Sequence, residues 1–75
     1  MRITYDKSAD AVYIYLKEKI EAGGVNKTYP CDPKEVDGMI NLDFDIENKL
    51  IGIEILGASR KLPKELLDKA ERLDK

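Results

Sequence analysis

The chain has 75 residues, a formal net charge of −2, a charged fraction of 37%, one cysteine, and no histidine or tryptophan. A single Cys excludes an intrachain disulfide, and one Cys with no His argues against a structural zinc site. A chain this short has a thin margin of stability, so packing or oligomerisation must supply what staples do not.

No apolar run approaches the roughly 20 residues of a membrane helix. The opening MRITYDKSAD has no signal-peptide core. The expectation is a soluble, cytoplasmic protein that forms one domain over residues 1–75.

The elements follow in chain order. ITYD and AVYIYLK alternate and are rich in β-branched and aromatic residues, as half-buried strands are. KSAD between them is turn-like. A hairpin about residues 7–10 puts Ile3, Tyr5, Val12, Ile14 and Leu16 on one face. Arg2, Thr4, Asp6, Ala11, Tyr13 and Tyr15 take the other. Gly23-Gly24 marks a turn. VNKTYP is a strand, and Pro30 argues for an edge position because proline cannot donate to a ladder. CDPKEVDG is expected to be a loop.

GMINLDFDIENKLIGIEIL is a second hairpin. A two-residue turn at Glu47-Asn48 pairs Phe44 with Ile51, Leu42 with Ile53 and Ile40 with Ile55, all apolar. The opposite face carries Asn41, Asp43 and Asp45 against Leu50, Gly52 and Glu54. After GAS, Pro63 suits the first helical position. Leu62, Leu66, Leu67, Ala70 and Leu73 make an apolar stripe at helical spacing through PKELLDKAERLDK. The expected architecture is α+β: an antiparallel β-meander of four or five strands with one C-terminal α-helix. That helix covers the apolar sheet face or docks on a second subunit.

Two stretches carry a resemblance. YDKSADAVYIYL resembles the Y-D-x-x-A-D-A-x-Y-I-x-L opening, and IGIEILGAS the closing I-G-I-E-I-L-x-A-S signature, of a family of small prokaryotic proteins of unknown function. The resemblance spans residues 1–59. Some members are encoded beside small toxin-like proteins, which implies an antitoxin-like role. It implies no catalytic or binding residues. The family turn often carries Asp-Gly where this chain has Glu47-Asn48.

The candidate sites each have a structural alternative. DFDIENKLIGIE places Asp43, Asp45, Glu47 and Glu54 at EF-hand ligand positions. Period-two strands flank it where an EF-hand has helices, and Asn48 stands where the sharp turn needs Gly. A β-hairpin is therefore the better reading, with a weak surface cation site at Asp43, Asp45 and Glu54 as the residual possibility. Asp6 and Asp10 bracket the first turn, where Asp normally binds backbone N–H groups. Tyr13 and Tyr15 suit an interface or cross-strand packing. Cys31 and Ser59 have no histidine to activate them; Ser59 suits a turn or a cap.

Charge is asymmetric: residues 32–47 hold six acidic groups against Lys34, a net of −5, whereas residues 60–75 carry a net of +2. This argues against nucleic acid and for a basic partner or a cation. The sequence thus points to a non-enzymatic, homodimeric protein-interaction module without cofactors. Its interaction surface is expected at Tyr13, Tyr15, Asp43, Asp45 and Glu54. The alternative is a weak divalent-cation or small-ligand binder using the acidic face of the 39–56 hairpin.

Overall fold

The computed structural model describes residues 1–73. Among them, one sheet contains β1 (Arg2–Asp6), β2 (Ala11–Tyr15), β3 (Lys27–Pro30), β4 (Met39–Phe44), β5 (Leu50–Leu56) and β6 (Glu71–Arg72). Three short helices accompany it: α1 (Pro33–Val36), α2 (Ala58–Lys61) and α3 (Lys64–Lys69). The strand order is β3-β4-β5-β2-β1-β6. The fold is α+β. The expected meander of four or five antiparallel strands with one helix is corrected in its counts, to six strands and three short helices, and in its topology. The chain crosses from β2 to the far edge before forming β3, and β6 lies parallel to β1.

The first hairpin has the register that its alternation requires, with Ile3 opposite Ile14, Tyr5 opposite Val12 and Asp6 opposite Ala11. The second keeps Ile40–Ile55 and Leu42–Ile53, but Phe44 faces Leu50 and the ladder shifts between Asp43 and Phe44. The cause is the turn. Asn48 is left-handed (φ 64°), and its N–H donates to the Asp45 carbonyl at 2.9 Å. The Asp45 N–H donates to the Lys49 carbonyl, also at 2.9 Å. This is a three-residue loop, Ile46 to Asn48, with a bulge. A two-residue turn at Glu47-Asn48 is not formed.

β5 is central: it pairs with β2 on one side and β4 on the other, and its Ile51, Ile53 and Ile55 share the apolar face. β3 is an edge strand, as Pro30 demands. Within the expected 31–38 loop, Asp32 caps α1 through a 2.9 Å bond to the Lys34 N–H, and Pro33 opens the helix.

The C-terminal helix is much shorter than its stripe suggests. Pro63 is the N-cap rather than the first helical residue, and Ala70 already has extended backbone. Glu71–Arg72 then pair with Thr4 and Tyr5, and the Leu73 N–H donates to the Tyr5 carbonyl at 3.0 Å. The bare edge of β1 offers backbone partners that two more helical residues would forgo. The remainder of the predicted helix, residues 74–75, lies outside the described residues.

The core sits between the helices and one half of the apolar face. Tyr5, Val12, Ile55, Ala58 and Ala70 are buried together, and Leu62 and Leu67 pack on them. Phe44 is half-buried and outside this cluster. Ile55→Ala should therefore cost about 2–5 kcal/mol. Phe44→Ala should cost less than the roughly 3–5 kcal/mol typical of a buried Phe. Urea midpoints of the two variants compare them directly, and a larger loss at Phe44 would relocate the core.

Candidate functional site

The face opposite the core carries the residues singled out as an interaction surface. Register sets them side by side. Tyr13 faces Glu54, Tyr15 faces Gly52, Asp43 faces Gly52 and Asn41 faces Glu54. The Tyr13 ring crosses β5 directly above Gly52; a Cβ at residue 52 would collide with the tyrosine hydroxyl. Glycine at this point lets β2 reach β4, and the Tyr13 hydroxyl donates to Asp43 Oδ2 at 2.6 Å.

From the far edge strand, the Thr28 hydroxyl donates to Asp43 Oδ1, also at 2.6 Å. Asn41 Nδ2 donates to Glu54 Oε1 at 2.9 Å. Tyr15 packs edge-on against Tyr13, with ring centroids 4.7 Å apart. The Arg2 guanidinium lies 4.9 Å from the Tyr15 ring centre and pairs with Glu71 at 3.0 Å. A chain of polar contacts thus runs from β6 to β3 across the whole sheet. Burial, the hydrogen bond to Asp43 and the Asp43 charge together raise the Tyr13 pKa well above the ordinary phenol value. Tyr13 is a neutral donor at physiological pH.

The structure does not gather Asp43, Asp45 and Glu54. Asp45 Oδ1 accepts the N–H groups of Glu47 and Lys49, both at 2.9 Å, so it is folded into its own turn. Among the described residues, no three Asp, Glu or Cys side chains form a group able to hold a metal ion. None of the ion pairs among the described residues reaches Asp43 or Glu54. Other acidic groups of the 32–47 segment have local roles: Asp32 caps α1, and Asp37 pairs with Arg60 at 3.2 Å.

A second cluster joins residues that the sequence suggested only singly. Asp10 is left-handed (φ 51°) at the end of the first turn. Its Oδ1 accepts the Ser59 N–H and the Tyr5 hydroxyl, each at 2.9 Å, and its Oδ2 accepts the Ser59 hydroxyl at 2.7 Å. Its carbonyl accepts the Ala58 N–H at 2.9 Å. The N-cap of α2 is Gly57, which has no side chain to offer. Asp10 therefore caps α2 from another part of the chain. The one available sequence signal was that missing cap. Asp6 behaves as expected of a turn Asp, accepting from the Ser8 and Ala9 N–H groups.

The Asp10 cluster ties the first turn to the start of α2. The bonds from Ser59, and then that from Tyr5, hold the Asp10 carboxyl below its ordinary pKa, which makes it a poor base for Ser59. Cys31 is half-buried, with its N–H bonded to the Ile40 carbonyl at 2.8 Å.

Two measurements follow from these geometries. A carboxylate with depressed pKa stabilises the fold fully above the ordinary Asp value of about 3.9, and that contribution is lost as pH falls through the lower folded value. Asp10→Asn keeps the left-handed turn but loses the charge. It should melt below the parent at neutral pH, and the gap should narrow on acidification below about pH 4. A gap independent of pH would show that the charge is irrelevant to the cap.

For Tyr13 the sign is reversed: its neutral form stabilises below the ordinary value of about 10, and this is lost as pH rises through the raised value. Ultraviolet titration should show one tyrosine ionising late. Gly52→Ala should displace the ring and bring that tyrosine back toward the others. An unchanged titration in Gly52→Ala would place the ring elsewhere.

The two stretches YDKSADAVYIYL and IGIEILGAS are adjacent in space. The first is the β1–β2 hairpin, the second is β5 running into α2, and Asp10 with Ser59 closes their shared end. No curated protein and no solved structure matches the chain. Residues 2–59 match the family described as protein of unknown function (DUF2283). That span includes both stretches and five of the six strands, so the chain belongs to this family.

Proposed function

We propose that the protein is a non-enzymatic interaction module that works as a homodimer and receives a small basic protein in an antitoxin-like manner. The observation that carries this reading is the tyrosine–carboxylate face. Asp43 and Glu54 lie on a half-buried sheet surface, bonded among the described residues to the neutral donors Tyr13, Thr28 and Asn41. Beside them lie two tyrosines, residues that bury much area at small entropic cost and keep a polar end. An arginine or lysine from a partner would find carboxylates there that form no ion pair among the described residues.

The absence of an activated nucleophile supports a non-enzymatic role: Ser59 is bound to a weakened base, and the chain has no His. A divalent cation is less well served, since Asp45 is committed to its turn.

The test begins with capture of partners from native lysate and selection of a basic protein released by salt. Glu54→Gln with Asp43→Asn should lower its association rate several-fold at low salt, with the fold intact by circular dichroism, because exposed charges act mainly on encounter. An unchanged rate would reduce the acidic face to a solubilising surface. Millimolar calcium should leave the melting temperature where it is; a rise with concentration would favour cation binding instead.

A further inference from the structure

We infer that the basic partner is read through one arginine, whose guanidinium enters the corner between Tyr13, Tyr15 and Ile20 and turns its fork toward Glu54. This rests on the reading above and names the chemical group that the tyrosine–carboxylate face receives. The corner is a recess of about 220 Å³ lined by these three side chains. That is below the roughly 300–1,000 Å³ of small-molecule sites, so it suits one side chain rather than a whole ligand.

The walls of the recess select a cation. Tyr13 and Tyr15 meet at 67° with ring centroids 4.7 Å apart, so the two rings make an angled aromatic wall. Ring faces attract cations through their quadrupole. Glu54 stands directly opposite Tyr13 on β5, where cross-strand neighbours have Cβ atoms about 4.5–5.5 Å apart. One Glu54 oxygen accepts the Asn41 amide; the other accepts no hydrogen bond among the described residues. Ile20 is half-buried in the segment between β2 and β3, and offers apolar contact to the stem of a long side chain.

The molecule already uses the same parts once. The Arg2 guanidinium lies 4.9 Å from the Tyr15 ring centre and pairs with Glu71 at 3.0 Å. A tyrosine ring beside a glutamate thus holds a guanidinium on this face. Tyr13 and Glu54 repeat the combination on β2 and β5, and among the described residues no cation stacks on Tyr13 or pairs with Glu54. Arginine fits better than lysine. Its planar, weakly hydrated group stacks on a ring while its fork bonds a carboxylate, whereas an ammonium is a compact, strongly hydrated point charge.

The test is a titration of the isotopically labelled full chain with N-acetylarginine amide and, at matched ionic strength, with N-acetyllysine amide, followed by backbone amide resonances. Arginine should shift Tyr13, Tyr15, Ile20 and Glu54 along saturating curves, several-fold more tightly than lysine. Glu54→Gln keeps an acceptor for Asn41, and Ile20→Lys puts a cation in the recess from outside the sheet. Each should weaken arginine binding several-fold. Equal responses to the two compounds, shifts spread over other acidic residues, or no response overturns the arginine site. The captured basic partner separates this inference from the reading it rests on. If Asp43→Asn with Glu54→Gln slows association but Tyr15→Leu leaves affinity unchanged, the acidic face stands and the arginine corner falls. An association rate indifferent to the double variant overturns both.

Discussion

The pairing of β2 with β5 is the constraint on which the rest of the structure depends. Each strand belongs to a different hairpin, and their five-residue antiparallel register joins the hairpins into one sheet. The register decides which side chains meet across the seam. It puts Val12 beside Ile55 in the core and Tyr13 beside Glu54 on the other face. A slip of one residue would exchange the two sets, burying Glu54 and exposing Ile55. Asp10 guards against such a slip from the end of the seam. Its carboxylate and carbonyl bind two successive N–H groups of α2, immediately after β5.

The same seam separates two kinds of surface. On one side, burial of Val12, Ile55 and Tyr5 under Ala58 and Ala70 supplies apolar stabilisation. On the other, packing is replaced by directional bonds in which Tyr13, held over Gly52, spans three strands. Thr4, 2% exposed, is buried among these polar residues. No buried polar side-chain atom lacks a partner among the described residues. A face so ordered costs little entropy to present to another molecule, because its side chains are already held.

Much of the sheet was legible from alternation. The Ile3–Ile14 and Tyr5–Val12 pairs, and two of three pairs in the second hairpin, follow from keeping apolar residues together. The third pair failed because Asn48 can adopt positive φ in either a two-residue or a three-residue loop, and identity does not distinguish them. The helical stripe after Pro63 was real, but the backbone demand of the β1 edge ended it at Lys69. At the candidate site, the shared face of Tyr13, Tyr15, Asp43 and Glu54 was readable because period two fixes it. The withdrawal of Asp45 into its turn was not. The Asp10–Ser59 partnership spans 49 positions, and nothing in either local sequence announces the other.

The β1–β2 hairpin is made first on the ribosome, yet it is flanked by strands that are made late. One neighbour, β5, begins at residue 50, and the other, β6, at residue 71. At roughly 5–20 residues per second, synthesis leaves both edges of the hairpin without partners for seconds. An isolated two-stranded hairpin is marginal in water, so early structure should be transient and native assembly should await synthesis of β5 and β6. The β3–β4–β5 unit is contiguous and can pair as it emerges. Folding then becomes the docking of one preassembled three-stranded unit onto a waiting hairpin. Its rate is limited by closure of the long segment between Tyr15 and Leu50.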